Sequence, residues 1–255
     1  MSDLFPTARM ADFEALATRR AGFASVERLR HRCRETFKGI DLAGKALLEI
    51  GAGLGVFSAY AAIAGARRVV ALEPEAAGST KGYASGIQEL TSALGLTNLH
   101  VVGQTIQEYD GGEDTFDLVL LYNSINHLDE PMCTEIRRSE EARQVYRRLF
   151  RKIASLTAPG GLLLIADVSR HNFWPKVGLR NPLARSIEWH KHQSPGIWGD
   201  LLRPLGFDRQ SVTWYRFYPL RRLGPLAGNA VAAFFLSSHF RLVLKKRPGD
   251  PVSRV

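Results

Sequence analysis

A chain of 255 residues with 45% hydrophobic and 23% charged residues has the make-up of a folded globular protein, not of a disordered or fibrous one. Two cysteines, Cys33 and Cys133, with no Cys-x-x-Cys spacing exclude a disulfide framework and a zinc-type motif. The formal charge of +9 is dispersed, with arginines at 28, 30, 32 and 34, from 137 to 151 and at 221 and 222. It therefore reads mainly as the solvated faces of helices, and a nucleic-acid partner is the less favoured reading.

The N-terminal segment carries Asp3, Asp12 and Glu14 and lacks the basic start and apolar block of a signal peptide. No run approaches the roughly 18–20 apolar residues of a membrane span. A cytoplasmic protein is the expectation. Residues 11–37 read as helical, with Phe13, Leu16, Phe23, Val26, Leu29, Cys33 and Phe37 at mixed spacings and Gly22 as a break into two helices.

Ala46, Leu47, Leu48 and Ile50 suit a buried parallel strand, which opens into Gly51, Gly53 and Gly55. Glycine permits positive φ and lets a ligand approach the main-chain N–H groups closely. The Ala-rich stretch 56–66 then reads as a helix facing that turn. A second apolar strand, 68–72, ends in Glu73, eighteen residues beyond Gly55, where a carboxylate can accept ribose hydroxyls. A dinucleotide fingerprint G-x-G-x-x-G counted from Gly51 requires glycine at 56, and Val56 stands there.

The run E-x-G-x-G-x-G, made by Glu49, Gly51, Gly53 and Gly55, resembles motif I of the class I S-adenosylmethionine-dependent methyltransferases of small-molecule type. The resemblance implies a doubly wound, mostly parallel seven-stranded α/β sheet (a Rossmann-like methyltransferase fold) with S-adenosylmethionine as cofactor. The resemblance covers residues 44–168 and, more loosely, the terminal strands, while the length of 255 residues suits a single domain over 1–255. A helical cap would cover residues 1–40 and the cofactor-binding core 44–168. A substrate-side insertion after the fifth strand, with the terminal elements, would occupy 169–238. Helices in the place of residues 11–37 often cap the substrate cavity in this family.

Further along, 84–95 suits a helix and 100–102 a third strand, followed by Gly103-Gln104-Thr105. Family members commonly place there an acidic acceptor for the adenine amino group; Gln104 holds that place here, with an amide oxygen that can accept the same bond, and Thr105 beside it. Residues 111–114 read as a turn, 116–122 as a fourth strand running into Asn123, and 140–157 as an amphipathic helix stopped by Pro159-Gly160-Gly161. Strand five is expected over 162–165, strand six over 210–218 and an antiparallel last strand over 239–246. The apolar run Leu226–Ser238 reads as a buried helix or hairpin, with contact to a membrane surface or a lipid-linked substrate as the alternative.

Methyl transfer from a sulfonium needs alignment and the handling of one proton. The cofactor-binding residues implied are Glu49, Gly51, Gly53, Gly55, Glu73, Gln104, Thr105 and Asn123, with Glu49 orienting the glycine loop. His127, just past the fourth strand, is the expected general base. Trp189, His190 and His192 are the expected substrate-binding residues on the insertion; the two histidines point the same way if the segment is extended and diverge if it is helical. No third metal ligand is placed beside them. The expected reaction is methylation of a small molecule, at oxygen in preference to nitrogen. Three readings compete: action on RNA or a lipid-linked acceptor, a non-catalytic S-adenosylmethionine-binding protein, and last a nicotinamide enzyme. Base-methylating enzymes typically carry Asn/Asp-Pro-Pro-aromatic where this chain has Asn123-Ser124-Ile125-Asn126.

Overall fold

The computed structural model describes residues 8–74 and 82–249. Asp3, and the first seven residues of the expected cap, lie outside the described residues. The chain divides into two compact units, Met1–Tyr109 and Asp110–Val255.

The first unit runs α1 (Ala8–Arg20), α2 (Val26–Thr36), β1 (Ala46–Ile50), α3 (Val56–Ile63), β2 (Arg68–Leu72), α4 (Tyr83–Ala93) and β3 (Leu99–Val102). The expected break between the first two helices falls at Gly22 (φ +63°), and Ser25 restarts the helix by accepting from the Arg28 N–H. Arg30 on α2 forks onto the Glu14 carboxylate of α1 through Nε and Nη2, at 2.5 and 2.6 Å. Phe13 and Phe37 rest against Tyr60 of α3, with ring centroids 6.2 and 5.7 Å away. The three strands are parallel, β2 between β1 and β3, and all five residues of β1 are buried. A strand covered on both faces has no polar side to show, hence the unbroken apolar run.

The second unit holds β4 (Phe116–Tyr122), a 3₁₀ turn (Ile125–Leu128), α5 (Glu130–Glu135), α6 (Glu140–Leu156) and β5 (Thr157–Val168). Then come α7 (Phe173–Lys176), a 3₁₀ turn (Trp189–Lys191), α8 (Pro195–Leu202), β6 (Phe207–Trp214), α9 (Ala230–Phe235) and β7 (His239–Lys246). β4 and β5 are parallel; β7 is antiparallel to both β5 and β6. The seven strands are ordered β3-β2-β1-β4-β5-β7-β6, the mostly parallel sheet expected.

α6 starts at the Ser139 cap and buries Ala142, Tyr146, Leu149, Phe150 and Ile153 along one stripe. Tyr146 and Phe150 close on Trp198 of α8, which is fully buried in this core. The far end of α6 is capped from another element: Lys246 of β7, itself buried, donates to the Ala154 and Thr157 carbonyls at 2.7 and 2.8 Å.

Three expectations need correction. β5 begins at Thr157, not Leu162: Phe116 pairs with Thr157 and Leu118 with Leu162, so Pro159-Gly160-Gly161 forms a bulge within the strand. A Cβ at Gly161 would sit 2.8 Å from the Ala158 carbonyl oxygen, so only glycine closes that bulge. β6 begins at Phe207, not residue 210, because left-handed Gly206 (φ +87°) turns the chain directly into it. The run Leu226–Ser238 is not a buried helix: Ala227 and Ala233 point inward, while Leu226, Val231 and Phe235 are exposed. Among the described residues no helix is long and apolar enough to cross a membrane.

Candidate active site

In the first unit the turn after β1 takes φ values of +71°, +55° and +70° at Gly51, Gly53 and Gly55, each in the left-handed region that glycine adopts without strain. Gly55 is also enclosed, since a Cβ there would meet the Ile87 side chain at 2.7 Å. Unexpectedly, the turn's amides are already engaged. The Gly51 and Ala52 N–H groups both donate to the Leu72 carbonyl, and Gly55 N–H donates to Ala52. Gly53 N–H donates to a Glu73 carboxylate oxygen at 2.6 Å.

An acidic side chain therefore occupies the turn where a nucleotide-binding loop would receive phosphate. Glu73 closes the turn. Glu49, at the end of β1 and fully buried, accepts from the Ser58 hydroxyl in the first turn of α3. Glu49 thus acts on the loop through Ser58, not through glycine amides. Burial pushes its carboxyl up to about 8 against the opposing pull of the Ser58 hydroxyl and N–H, and burial likewise raises Glu73. A turn with the Gly51, Ala52, Gly53 and Gly55 amides committed and an acid beside them is poorly suited to pyrophosphate. It suits a ligand carrying ammonium and sulfonium charge, which needs acceptors and a surface free of side chains. The residues present fit S-adenosylmethionine on that ground.

Gln104 is exposed beyond β3. Thr105 makes a capping box with Glu108: its N–H and hydroxyl donate to the Glu108 carboxylate, and its hydroxyl accepts from the Glu108 N–H. Those two donors hold the Glu108 carboxyl below the usual carboxylate range. The Thr105 hydroxyl thus takes part in the turn that follows β3.

In the second unit Asn123 ends β4 with φ +50°, which asparagine tolerates, and its Oδ1 lies 3.1 Å from His239 Nε2. The following 3₁₀ turn is held from below by Tyr146, whose buried hydroxyl lies 3.0 and 3.2 Å from the Ile125 and Asp129 carbonyls. Asn126 in that turn is buried, and its Oδ1 has no hydrogen-bond partner among the described residues. His127 is 58% exposed, and its Nδ1 faces Glu130 at 3.1 Å. Glu130 is also bound by Lys191 at 2.7 Å, and this pairing holds its carboxyl below the ordinary range.

Trp189–Lys191 is helical, so His190 and His192 diverge: His190 is exposed and His192 turns inward. Neither His190 nor Trp189 joins a polar cluster with it. His192 Nδ1 lies 3.1 and 3.4 Å from the two oxygens of Asp167, which is fully buried near the end of β5. The segment is pinned to α5, where Cys133 Sγ donates to the Lys191 carbonyl and Gln193 donates to the Cys133 carbonyl. A carboxylate facing Nδ1 favours the tautomer that carries its proton there, which leaves Nε2 as an acceptor. Sequence reasoning passed over Asp167, although an acid ending the run Leu162-Leu-Leu-Ile-Ala-Asp167 is the same signal that singled out Glu73.

The family model described as "Methyltransferase domain" matches residues 18–212. No curated protein matches the chain in sequence. Among solved structures, an S-adenosylmethionine-dependent methyltransferase from Mesorhizobium loti is 16% identical, with TM-score 0.58 over 84% of this chain and 96% of that one. The [4+2]-cyclase SpnF is 17% identical at TM-score 0.59, covering 96% and 98%. Mitomycin 7-O-methyltransferase MmcR is 14% identical at TM-score 0.56, covering 94% of this chain and 61% of that one. These likenesses agree with the sheet order and the glycine turn, and the family match spans most of the sequence: the chain belongs to the class I S-adenosylmethionine-dependent methyltransferases.

Proposed function

We propose that this protein methylates a hydroxyl oxygen of a small molecule, with His192 as the base and Asp167 as the residue that orients it. One observation carries the reading: a fully buried carboxylate fixes one imidazole nitrogen and leaves the other available. S-adenosylmethionine supplies a methyl carbon on an already activated sulfonium. The acceptor hydroxyl would give its proton to His192 Nε2 as its oxygen forms the new bond to carbon and the carbon–sulfur bond breaks. Asp167 would stabilise the imidazolium so formed, and the proton would leave to solvent afterwards.

The remaining roles follow from chemistry. Gly51, Gly53 and Gly55 would let the adenosyl group lie against bare backbone. Glu73, with one oxygen on Gly53 N–H, would offer the other to a ribose hydroxyl. Gln104 would accept from the adenine amino group. The partnerless Asn126 oxygen supports a ligand donor beside it, because an unmet buried acceptor costs about 1–3 kcal/mol. His127 is the weaker base, since it is exposed and shares Glu130 with Lys191. MmcR is named an O-methyltransferase, which agrees with the oxygen reading.

The deciding experiment offers methyl-labelled S-adenosylmethionine together with panels of hydroxylated and aminated small molecules, lipid-linked sugars and RNA. Label in a hydroxylated small molecule is expected. Label in RNA alone, or in no acceptor, would overturn the proposal. For the cofactor half, Glu73→Ala should weaken S-adenosylhomocysteine binding by roughly tenfold to a hundredfold, about 1.5–3 kcal/mol, in calorimetry. An equal loss for an analogue lacking the ribose would remove Glu73 from that role.

A further inference from the structure

Every large hydrophobic side chain that is exposed among the described residues lies between Val177 and Phe235. On an ordinary surface such side chains are scattered; gathered ones mark a surface that meets something. Leu226 is 75% exposed and Val231 70%, with Val177, Leu179 and Phe235 near one half. Val231 and Phe235, four residues apart on α9, share one face of the helix.

The two stretches that carry these side chains are locked together. The Phe173 ring lies 5.1 Å from that of Phe235, and Trp174 Nε1 donates to the Phe235 carbonyl at 2.9 Å. Asn172 and Asn181, both fully buried, donate to the Leu236 carbonyl. The exposed apolar residues therefore stand on a bonded platform. They are not the ends of a loose loop.

The charges around them have one sign. From Ser169 to Ile187 the sequence holds Arg170, Lys176, Arg180 and Arg185 and no acidic residue, and from Arg209 to Ser238 it holds four arginines and none. Lys176, Arg180, Arg185 and Arg222 are exposed, and Lys176 Nζ sits 5.1 Å from the Phe234 ring centroid. A second copy of this chain placed on the same face would set these cations against themselves. A bilayer with anionic headgroups would meet both features at once, with the cations at phosphate level and Leu226, Val231 and Phe235 at the acyl boundary.

We propose that α7, the loop after it, Leu226 and α9 form a docking face for an anionic phospholipid bilayer. This is independent of the acceptor and of the base that acts on it. The test is co-sedimentation of the full chain with phosphatidylcholine vesicles and with vesicles that also contain phosphatidylglycerol. Binding to the anionic vesicles should be at least about tenfold stronger and should fall with salt. The double variant Leu226→Glu/Val231→Glu, and separately Arg185→Glu, should each lower it about tenfold or more while leaving S-adenosylhomocysteine affinity and Tm unchanged. If the double variant fails to fold, Arg185→Glu alone decides. Equal binding to both vesicle types, no binding, or unaltered binding by Arg185→Glu overturns the proposal. So does a concentration-dependent dimer in sedimentation that the double variant abolishes.

Discussion

Replacing His192 by alanine is expected to lower turnover by about 10²–10⁴-fold with little change in affinity for S-adenosylhomocysteine, because a positioned base contributes on that scale. Asp167→Asn is the sharper variant. A carboxamide can donate to Nδ1, which would force the imidazole proton onto Nε2 and remove the acceptor while keeping the ring in place. Its loss should approach that of His192→Ala although its volume is almost unchanged. His127→Ala, at an exposed residue whose neighbour Glu130 keeps Lys191 as a partner, should change kcat far less. If both dyad variants keep the parent rate, proton transfer lies elsewhere. If His127→Ala alone is crippled, the base expected from the sequence is restored.

Strand identity was legible where both faces are covered. β1, β2, β4 and β7 begin and end at the residues expected, and glycine or charge bounds the apolar runs of β1 and β2 at both ends. The ends of β5 and β6 were less legible. Pro-Gly-Gly serves a bulge as well as a helix stop, and only the pairing of Phe116 with Thr157 separates the two. In the glycine turn the positive φ values could be read from the residue types. The direction of the amides could not, since Gly53 N–H finds Glu73 only after β2 is laid beside β1. The dyad was half-legible: His192 stood out, but its distinction from His190 depends on one 3₁₀ turn that rotates them apart. The exposure of Leu226 and Val231 was not legible, because an apolar run read alone carries no information about whether anything packs on it.

Glu49 leads to the second large effect, on stability. Its carboxyl, raised to about 8 in the folded protein by burial, would titrate near 4.5 in the unfolded chain. Between those values the folded state holds a proton that the unfolded state has released, so stability declines as pH rises through the window and levels off above about 8. The slope is about 1.4 kcal/mol per pH unit, which amounts to a loss on the order of 3 kcal/mol by pH 7 relative to pH 4.5. Glutamine keeps an acceptor for the Ser58 hydroxyl and has no proton to release. Glu49→Gln should therefore match the parent near pH 4.5 and exceed it increasingly toward pH 8 in urea unfolding at a series of pH values. Taking the difference between the two proteins cancels most of the titration of other groups. Parallel profiles would mean that Glu49 is ionised in the folded state and offset by charge that Ser58 alone does not supply. A variant less stable at every pH would mean that the second carboxyl oxygen makes a bond the amide breaks. The expected divergence would instead identify Glu49 as a neutral peg under the glycine turn, a residue that costs stability at working pH and holds the first turn of α3 against β1.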